Sequence, residues 1–445
     1  MKILFVSLGC DKNLVDSEHM IGALDAAGYS ICDDENEADI VVINTCSFIE
    51  DAMTESIDTI LEYADLKQNG KLKAIIVTGC LAQRYQDEFF EQLPEVDAII
   101  GTNSYDELVN VIHDVLEKKT HISVMKPLTG LPKNAKQFVS TGGHFAYLKI
   151  AEGCSKRCTY CVIPKIRGNY RSVPMETILE EAKTLVADGA KELILVAQET
   201  TVYGIDLYQK KMLPTLLNKL AEIEGLVWIR ILYAYPEEIT DELIECIATN
   251  PKVCHYIDMP IQHCNDKILK AMGRKTSKSD LLNIIKKLRT AIPDICIRTT
   301  LIAGFPGETL DMHHEMMVFA REVMFDRLGV FPYSQEEGSV AAEFENQLDD
   351  ETKKRWADDI MSQQKIYGID TLPKYVGKTL PVFIEGYIPQ EDVYVGRSYR
   401  DTPTVDGYVF VQSPDTELVS GQFVNVKITE FNTYDLIGDY VDEFT

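Results

Sequence analysis

Short apolar runs alternate with longer amphipathic stretches through most of this chain, and that alternation constrains the fold more than any other feature. In residues 1–125, candidate strands at Ile3–Ser7, Asp39–Asn44, Lys73–Thr78 and Asp97–Ile100 are separated by candidate helices at Asn13–Ala27, Ile49–Ala64, Ala82–Leu93 and Ser104–Leu116. Strands that alternate with helices pair in parallel through crossovers, so the expected fold is an open parallel α/β sheet. Residues 126–143 carry Pro, Gly, Ser and Thr without a period and read as a linker. From Phe145 the alternation restarts, with strands at Phe145–Ile150, Glu192–Ala197, Val227–Leu232, His255–Met259, Ile295–Ile302 and Asp326–Phe331. Repeated β/α units of this number fit a full or partial TIM-like barrel. Asp349–Thr371 reads as one long helix whose acidic start suits the positive end of the helix dipole. Beyond Pro373, β runs at Leu380–Glu385, Tyr408–Val411 and Phe423–Thr429 are punctuated by Gly386, Pro403, Gly407, Pro414 and Gly421. That pattern predicts a small antiparallel β barrel. The expected domains are therefore 1–125, a core at 144–372 and a terminal barrel at 373–445.

Composition narrows the partners. Lys plus Arg number 44 against 70 Asp plus Glu, a net charge of −26. A chain this acidic repels phosphate, so nucleic acid is a poor partner and a basic protein a better one. Residues 376–445 alone carry Lys378, Arg397, Arg400 and Lys427 against twelve Asp and Glu, a net −8. No run of 18 apolar residues occurs and Met1–Ser7 lacks the architecture of a signal peptide, so a cytoplasmic protein is expected.

The 11 cysteines are odd in number, which argues against a disulfide framework and for metal binding or catalysis. Three are packed as Cys154-x-x-x-Cys158-x-x-Cys161 on the loop after the first barrel strand, where barrel chemistry sits. Three thiolates at this spacing can hold three corners of a 4Fe–4S cube. No cysteine follows before Cys246, so the fourth iron stays open to an outside ligand. A closed structural zinc site, the competing reading, usually wants four protein ligands. Cys10, Cys46 and Cys80 lie far apart in sequence, yet each falls just past the carboxyl end of a predicted strand. In an open parallel sheet these ends share one edge, the edge at which ligands bind. The same position after three different strands predicts a second three-cysteine cluster. Asn13 and Asp16 are expected to start and cap the first helix. Cys32, Cys246, Cys254, Cys264 and Cys296 are expected to be small buried apolar residues.

The Cys-x-x-x-Cys-x-x-Cys loop on the first strand of a β/α barrel resembles the radical S-adenosylmethionine (SAM) superfamily. The resemblance implies that SAM binds the open iron and is cleaved by one electron to methionine and a 5′-deoxyadenosyl radical, the cofactor carrying the hard chemistry. It implies that Tyr160 lies near the adenine. Thr300–Glu308, with Ile302 and Gly304, would line the adenosine. Glu199, in Gln198-Glu199-Thr200-Thr201, and Gln262, in Pro260-Ile261-Gln262-His263, sit at strand ends where they can reach SAM. The order of three domains resembles the methylthiotransferases over essentially the whole chain, with the terminal barrel as their TRAM domain. Gly9-Cys10-Asp11-Lys12-Asn13-Leu14-Val15-Asp16-Ser17-Glu18 and the segment Val395–Gly407 resemble the RimO branch, which modifies a ribosomal protein. Asp11 stands where that branch usually has Pro. The tRNA-modifying branch typically shows a Gly-Cys-Gln-Met-Asn type sequence here.

The resemblance implies two 4Fe–4S clusters and SAM in two roles, as methyl donor to a sulfur species on the auxiliary cluster and as radical source. The radical takes hydrogen from the β-carbon of an aspartate on the twelfth small-subunit ribosomal protein, with no residue serving as acid or base. The expected partners are that basic protein and an electron donor such as flavodoxin or ferredoxin, with a monomer as default. Two alternatives stay open: a tRNA adenosine 2-methylthiotransferase and a non-enzymatic Fe–S electron-transfer protein.

Overall fold

A computed structural model describes every residue except Lys71, Asp87, Pro414 and Thr445, so the turn expected at Pro414 lies outside the described residues. The amino-terminal region forms a six-stranded sheet from β1 (Lys2–Ser7), β2 (Ser30–Cys32), β3 (Ile40–Thr45), β4 (Ala74–Gly79), β5 (Ala98–Ile100) and β6 (Ile122–Val124), in the order β2-β1-β3-β4-β5-β6. All pairs are parallel. Every residue of β3 and β4 is buried, as befits central strands covered on both faces. Val41, Ile43, Ile75 and Val77 pack into one apolar layer and Ile40, Val42, Ala74 and Ile76 into the other. Each such Val or Ile side chain contributes about 1.5–3 kcal/mol by its burial.

Three details differ from the sequence reading. The edge strands β2 and β6 have three residues each, too short and too exposed to show a period. The helix expected over Ala82–Leu93 is broken into α-helical pieces at Cys80–Arg84 and Phe89–Gln92. At the break, Arg84 bonds Glu336 at 3.0 Å and the Tyr85 hydroxyl bonds Glu337 at 3.3 Å, so contacts with the core override local propensity. Cys32 is half-buried on an edge strand, unlike Cys246, Cys254, Cys264 and Cys296, which are buried as expected.

Residues 126–143 have no regular structure but lie against helix α1 (Asp11–Ala26). Gln137 and Ser140 donate to the Glu18 carboxylate at 2.6 Å each, and the Phe138 amide bonds the Glu18 carbonyl.

The core strands are β7 (Phe145–Lys149), β10 (Glu192–Val196), β11 (Trp228–Ile231), β12 (Tyr256–Asp258), β13 (Cys296–Ala303) and β14 (Arg327–Pro332); β8 (Ala151–Glu152) and β9 (Arg171–Ser172) make a small hairpin beside them. Two parallel sheets, β7-β10-β11 and β12-β13-β14, follow one another. A bridge between Ile229 and Val253 stands where they adjoin. Among the described residues β14 does not pair back onto β7, so the barrel is partial. The long helix is present at Asp350–Thr371, capped by Asp349, and buries Trp356, Ala357 and Ile360 in the core.

The terminal domain is a closed barrel in the order β15-β16-β17-β19-β18, from β15 (Thr379–Ile388), β16 (Val393–Ser398), β17 (Val409–Gln412), β18 (Phe423–Phe431) and β19 (Leu436–Glu443). It departs from a purely antiparallel barrel at one pair: β19 inserts between β17 and β18 and runs parallel to β17. It docks on the amino-terminal ends of the core strands. Arg397 and Arg230 both bond Glu192, at 2.7 and 2.8 Å, Arg327 pairs with Asp401, and the Tyr256 hydroxyl bonds Asp406 at 2.7 Å. One mouth of the partial barrel is thus covered, leaving the carboxyl ends of its strands for the site.

Candidate functional site

The loop Gly153–Cys161 leaves β8 and is pinned from three sides. The Cys154 amide bonds the Gly168 carbonyl at 3.0 Å, while Thr159 bonds the Met272 carbonyl through its amide and the Ala271 carbonyl through its hydroxyl. Gly153 has φ +76, and a Cβ there would meet the Asn169 carbonyl oxygen, so the entry to the loop requires glycine. Burial pushes the Cys154 thiol up to about 11 and Cys161 to about 12. Buried thiols of this kind stay protonated and inert at neutral pH unless a metal takes up the thiolate charge. The spacing and burial fit a cluster ligand set.

Around this loop the structure gathers the other sequence candidates. Tyr160 and Ile302 pack on the same apolar group, Ile268, Met272, Phe305, Tyr333 and Ala341. Gln262 pairs with the carboxyl end of β13, its amide bonding Thr300 and its carbonyl accepting from the Ile302 amide at 2.8 Å. Gly304, at φ +78, donates its amide to Glu308 at 2.6 Å. Glu199 is buried 3.8 Å from the Lys156 ammonium within the cysteine loop, and desolvation, opposed by that ammonium, raises its carboxyl to about 7. Sequence reading missed Tyr235, whose hydroxyl is 4.0 Å from Cys158 Sγ, and Arg274, whose guanidinium lies 4.3 Å from the Tyr235 ring centre.

The second set assembles through topology. β1, β3 and β4 are neighbours; Thr45 and Gly79 are register partners, so Cys46 and Cys80 each follow one end of the same pair. Cys10 stands at the N-terminus of α1. It is brought alongside Cys46, because a Cβ on Gly9 would lie 3.2 Å from Cys46 Sγ. Burial raises Cys46 to about 12, with the Cys80 and Cys10 thiols adding to the effect. Among the described residues no group of three His, Cys, Asp or Glu closes around a single ion. A cube places each thiolate on a different iron, so its ligands stand farther apart than those of one ion.

Asn13 and Asp16 do not cap α1: its N-cap is Cys10, without a side-chain cap bond. The buried Asn13 amide donates to the carbonyls of Leu8 and Thr45, at 3.1 and 3.0 Å, tying the first two cysteine loops together, and its oxygen lies 3.9 Å from Cys80 Sγ. Asp16 instead faces the core, where it pairs with Lys149 and, at 2.7 Å, with Arg167. The Arg167 guanidinium also contacts Asn13, lies 3.8 Å from Cys80 Sγ and bonds Glu152 at 3.0 Å. Glu152 accepts from Lys149, Gln198 and the Gly153 amide. One buried ionic network therefore runs from Cys80 to the residues preceding Cys154. The pairs that join Asn13 and Asp16 to Lys149 and Arg167 are more than a hundred positions apart in sequence, and no local signal marks them.

Three family models match in the order of the three structural units. They are Uncharacterized protein family UPF0004 over residues 2–101, the Radical SAM superfamily over 148–320 and the TRAM domain over 376–441. The chain is 53% identical to the ribosomal protein uS12 methylthiotransferase RimO of Lachnoclostridium phytofermentans, over 98% of this chain and 99% of that one. The chain belongs to the RimO methylthiotransferase family. Enzymes of the same name from Clostridioides difficile, at 48% identity over 100% and 99% of the two chains, and Geobacter sulfurreducens, at 45% over 99% and 98%, agree. Among solved structures, the radical SAM methyltransferase TsrM of Kitasatospora setae superposes with a TM-score of 0.54 at 13% identity, covering 75% of this chain and 74% of that one. The cobalamin-dependent radical SAM enzyme OxsB gives 0.54 at 14%, covering 82% and 56%. At such identities these two show shared fold alone. The RimO family assignment makes this chain a radical SAM transferase. Among the described residues no helix is long and apolar enough to cross a membrane.

Proposed function

We propose that this protein transfers a methylthio group to the β-carbon of an aspartate on ribosomal protein uS12. The observation that carries this reading is the pairing of two three-cysteine sets, each of which would leave one iron of a cube without a protein ligand, through the buried Arg167 network. Cys154, Cys158 and Cys161 hold the SAM-binding 4Fe–4S cluster, and Cys10, Cys46 and Cys80 the auxiliary one. SAM bound to the first cluster supplies one-electron chemistry able to break an unactivated C–H bond, and the second supplies sulfur. The chain's own task is to hold both sets and keep water out. Tyr160 and Ile302 form an apolar wall for the adenosine, Gln262 and Gly304, whose amides are tied to Thr300 and Glu308, fix the backbone beside it, and Glu199 is placed for the charged end of SAM.

Choice of a protein over tRNA draws support from the terminal barrel. Of the four cations in residues 376–445, Arg397 and Arg400 are buried; Arg397 is spent on Glu192 and Glu385, and Arg400 stacks 4.0 Å from the Tyr375 ring centre. Lys378 and Lys427 remain against an acidic surface that repels a phosphate backbone. A basic ribosomal protein is attracted by the same surface. A cytoplasmic monomer served by a flavodoxin- or ferredoxin-type donor completes the proposal. Intact-mass measurement of uS12 from cells with and without the gene tests it: a gain of one methylthio group only when the gene is present is expected, and an unchanged mass excludes it. Loss of 2-methylthio nucleosides from tRNA on deletion would establish the tRNA alternative instead.

A further inference from the structure

Among the described residues three lysines are buried, and two of them lie against carboxylates: Lys149 with Asp16 and Glu152, and Lys353 with Asp350. The third, Lys12, is only 7% exposed and makes no ion pair among the described residues. Its ammonium rests 3.3 Å from the centre of the Tyr233 ring. A buried lysine without a carboxylate is uncommon, and an aromatic face replaces only part of the lost hydration while leaving the charge open to an anion.

The place of this pair is informative. Lys12 lies two residues beyond Cys10. Tyr233 follows β11 at the carboxyl end of the partial barrel, donates its hydroxyl to Asp11 at 3.2 Å, and is held at φ +59, a strained conformation for a tyrosine. Two residues on, the Tyr235 hydroxyl stands 4.0 Å from Cys158 Sγ. The segment Tyr233-Ala234-Tyr235 thus touches the surroundings of both cysteine sets, and the Lys12 ammonium is on it. Asp258 fixes the segment by accepting from the Tyr233 amide at 3.0 Å, and Thr200 bonds the Tyr233 carbonyl.

On the proposed reaction, the carbon that gains sulfur must sit between the two sets, and it is bonded directly to a carboxylate. We infer that Lys12 is the substrate-binding cation of this enzyme: its ammonium receives the side-chain carboxylate of the target aspartate and so holds the adjacent β-carbon between the two sets. This rests on the proposed function and adds the residue that makes aspartate, rather than asparagine, the substrate. Asp11, engaged by Tyr233, is kept from taking the ammonium itself.

The test is calorimetric binding of uS12 to the enzyme carrying both clusters, under anaerobic conditions, with uS12 bearing either its target aspartate or asparagine there. The unsubstituted enzyme is expected to favour the aspartate form about tenfold or more, the scale of one charge-assisted contact. In Lys12→Met, which keeps the stem on Tyr233, the ratio should fall to about one with iron content and the visible spectrum unchanged. Lys12→Arg should restore most of the preference. Because a ratio is read within one protein, partial loss of folded enzyme does not alter it. A preference unchanged in Lys12→Met, or absent from the unsubstituted enzyme, overturns the inference. An altered auxiliary-cluster spectrum with the ratio intact assigns Lys12 to the cluster instead, and also overturns it. If neither form of uS12 binds, the proposed substrate itself fails, and this inference with it.

Discussion

Cys154, Cys158 and Cys161 lie within eight consecutive residues, whereas Cys10, Cys46 and Cys80 span seventy-one and meet only because β1, β3 and β4 are neighbours. The first set is a property of one loop, fixed by hydrogen bonds to Gly168, Ala271 and Met272. The second is a property of a sheet: its ligands are brought together after the loop-closure entropy of two long connections has been overcome by the burial of β3 and β4. A ligand set made by tertiary structure should fail when that structure loosens, while a set made by one loop should tolerate the same disturbance. The two sets are joined at a single ionic network, so the contrast can be tested from either side.

The largest effect is expected from removing each set outright. Reconstituted protein should bind about eight irons if both cubes form, and about four after triple replacement of either set by alanine. Loss of Cys154, Cys158 and Cys161 should abolish formation of 5′-deoxyadenosine. Loss of Cys10, Cys46 and Cys80 should leave some SAM cleavage and abolish methylthiolation of uS12. A second triple variant that still methylthiolates would show that the division of roles is wrong.

Next in size is Arg167→Met. The change leaves Asp16, Glu152 and Lys149 buried with their charges unbalanced, a cost of about 3–5 kcal/mol for breaking a buried ionic group. It also removes the cation beside Cys80. Iron bound by the dispersed set should be lost first, with a lowered Tm and with SAM cleavage persisting. Equal loss of iron from both sets would mean that the network supports the two sets alike and that the dispersed set is no more dependent on tertiary structure than the single loop.

What could be read from the sequence follows the same division. The Cys-x-x-x-Cys-x-x-Cys loop is local and was visible as spacing alone. The dispersed set was visible only because each cysteine follows a wholly apolar run, so that finding the strands found the ligands. Strands such as β3 and β4 announce themselves because both faces are covered, whereas β2 and β6 are short and partly exposed at the sheet edges. Asparagine near a helix start favours capping, which is what the sequence suggests for Asn13, but its amide is taken by the carbonyls of Leu8 and Thr45. Arg167, Lys12 and Tyr233 were not legible, because each takes its meaning from a partner in another domain, and pairings across domains leave no period in the sequence.

A smaller effect separates the sets by backbone strain. Gly79 precedes Cys80 at φ +92, and a Cβ there would meet Asn44 Oδ1 and, at 2.6 Å, the Thr45 carbonyl oxygen. Gly153 precedes Cys154 at φ +76 under a similar constraint from Asn169 and Gly168. Each Gly→Ala change should cost about 1–3 kcal/mol, the scale of one residue held in a sparsely populated conformation. Gly79→Ala should shift β4 against β3 and lower auxiliary iron, and Gly153→Ala should lower only SAM-site iron. Mössbauer spectra of the two variants distinguish the populations, and identical losses would contradict the contrast.

The smallest effect concerns one hydrogen-bonding side chain on each set. Ser56, on the helix Glu50–Gln68, both accepts from the Cys46 amide at 3.1 Å and donates to its carbonyl at 2.9 Å. Thr159 donates to the Ala271 carbonyl at 2.8 Å from within the other loop. Ser56→Ala and Thr159→Val each remove about 1 kcal/mol of net hydrogen bonding, and Ser56→Ala also leaves the buried Cys46 amide without its partner. The Thr159 loop keeps the Thr159 amide bond to Met272 and the Cys154 amide bond to Gly168, so its geometry should hold and SAM affinity should change less than twofold, a shift below about 0.4 kcal/mol. The Cys46 loop keeps the Asn13 bond to the Thr45 carbonyl and the Arg84 bond to the Ser47 carbonyl, but Ser56 is what holds the ligand residue's own amide and carbonyl, and Ser56→Ala should speed loss of auxiliary iron to a chelator severalfold while leaving SAM-site iron in place. Equal chelation rates in the two variants would mean that the sheet, once folded, holds its ligands as firmly as the single loop does, and that the difference between the sets is confined to how they are assembled.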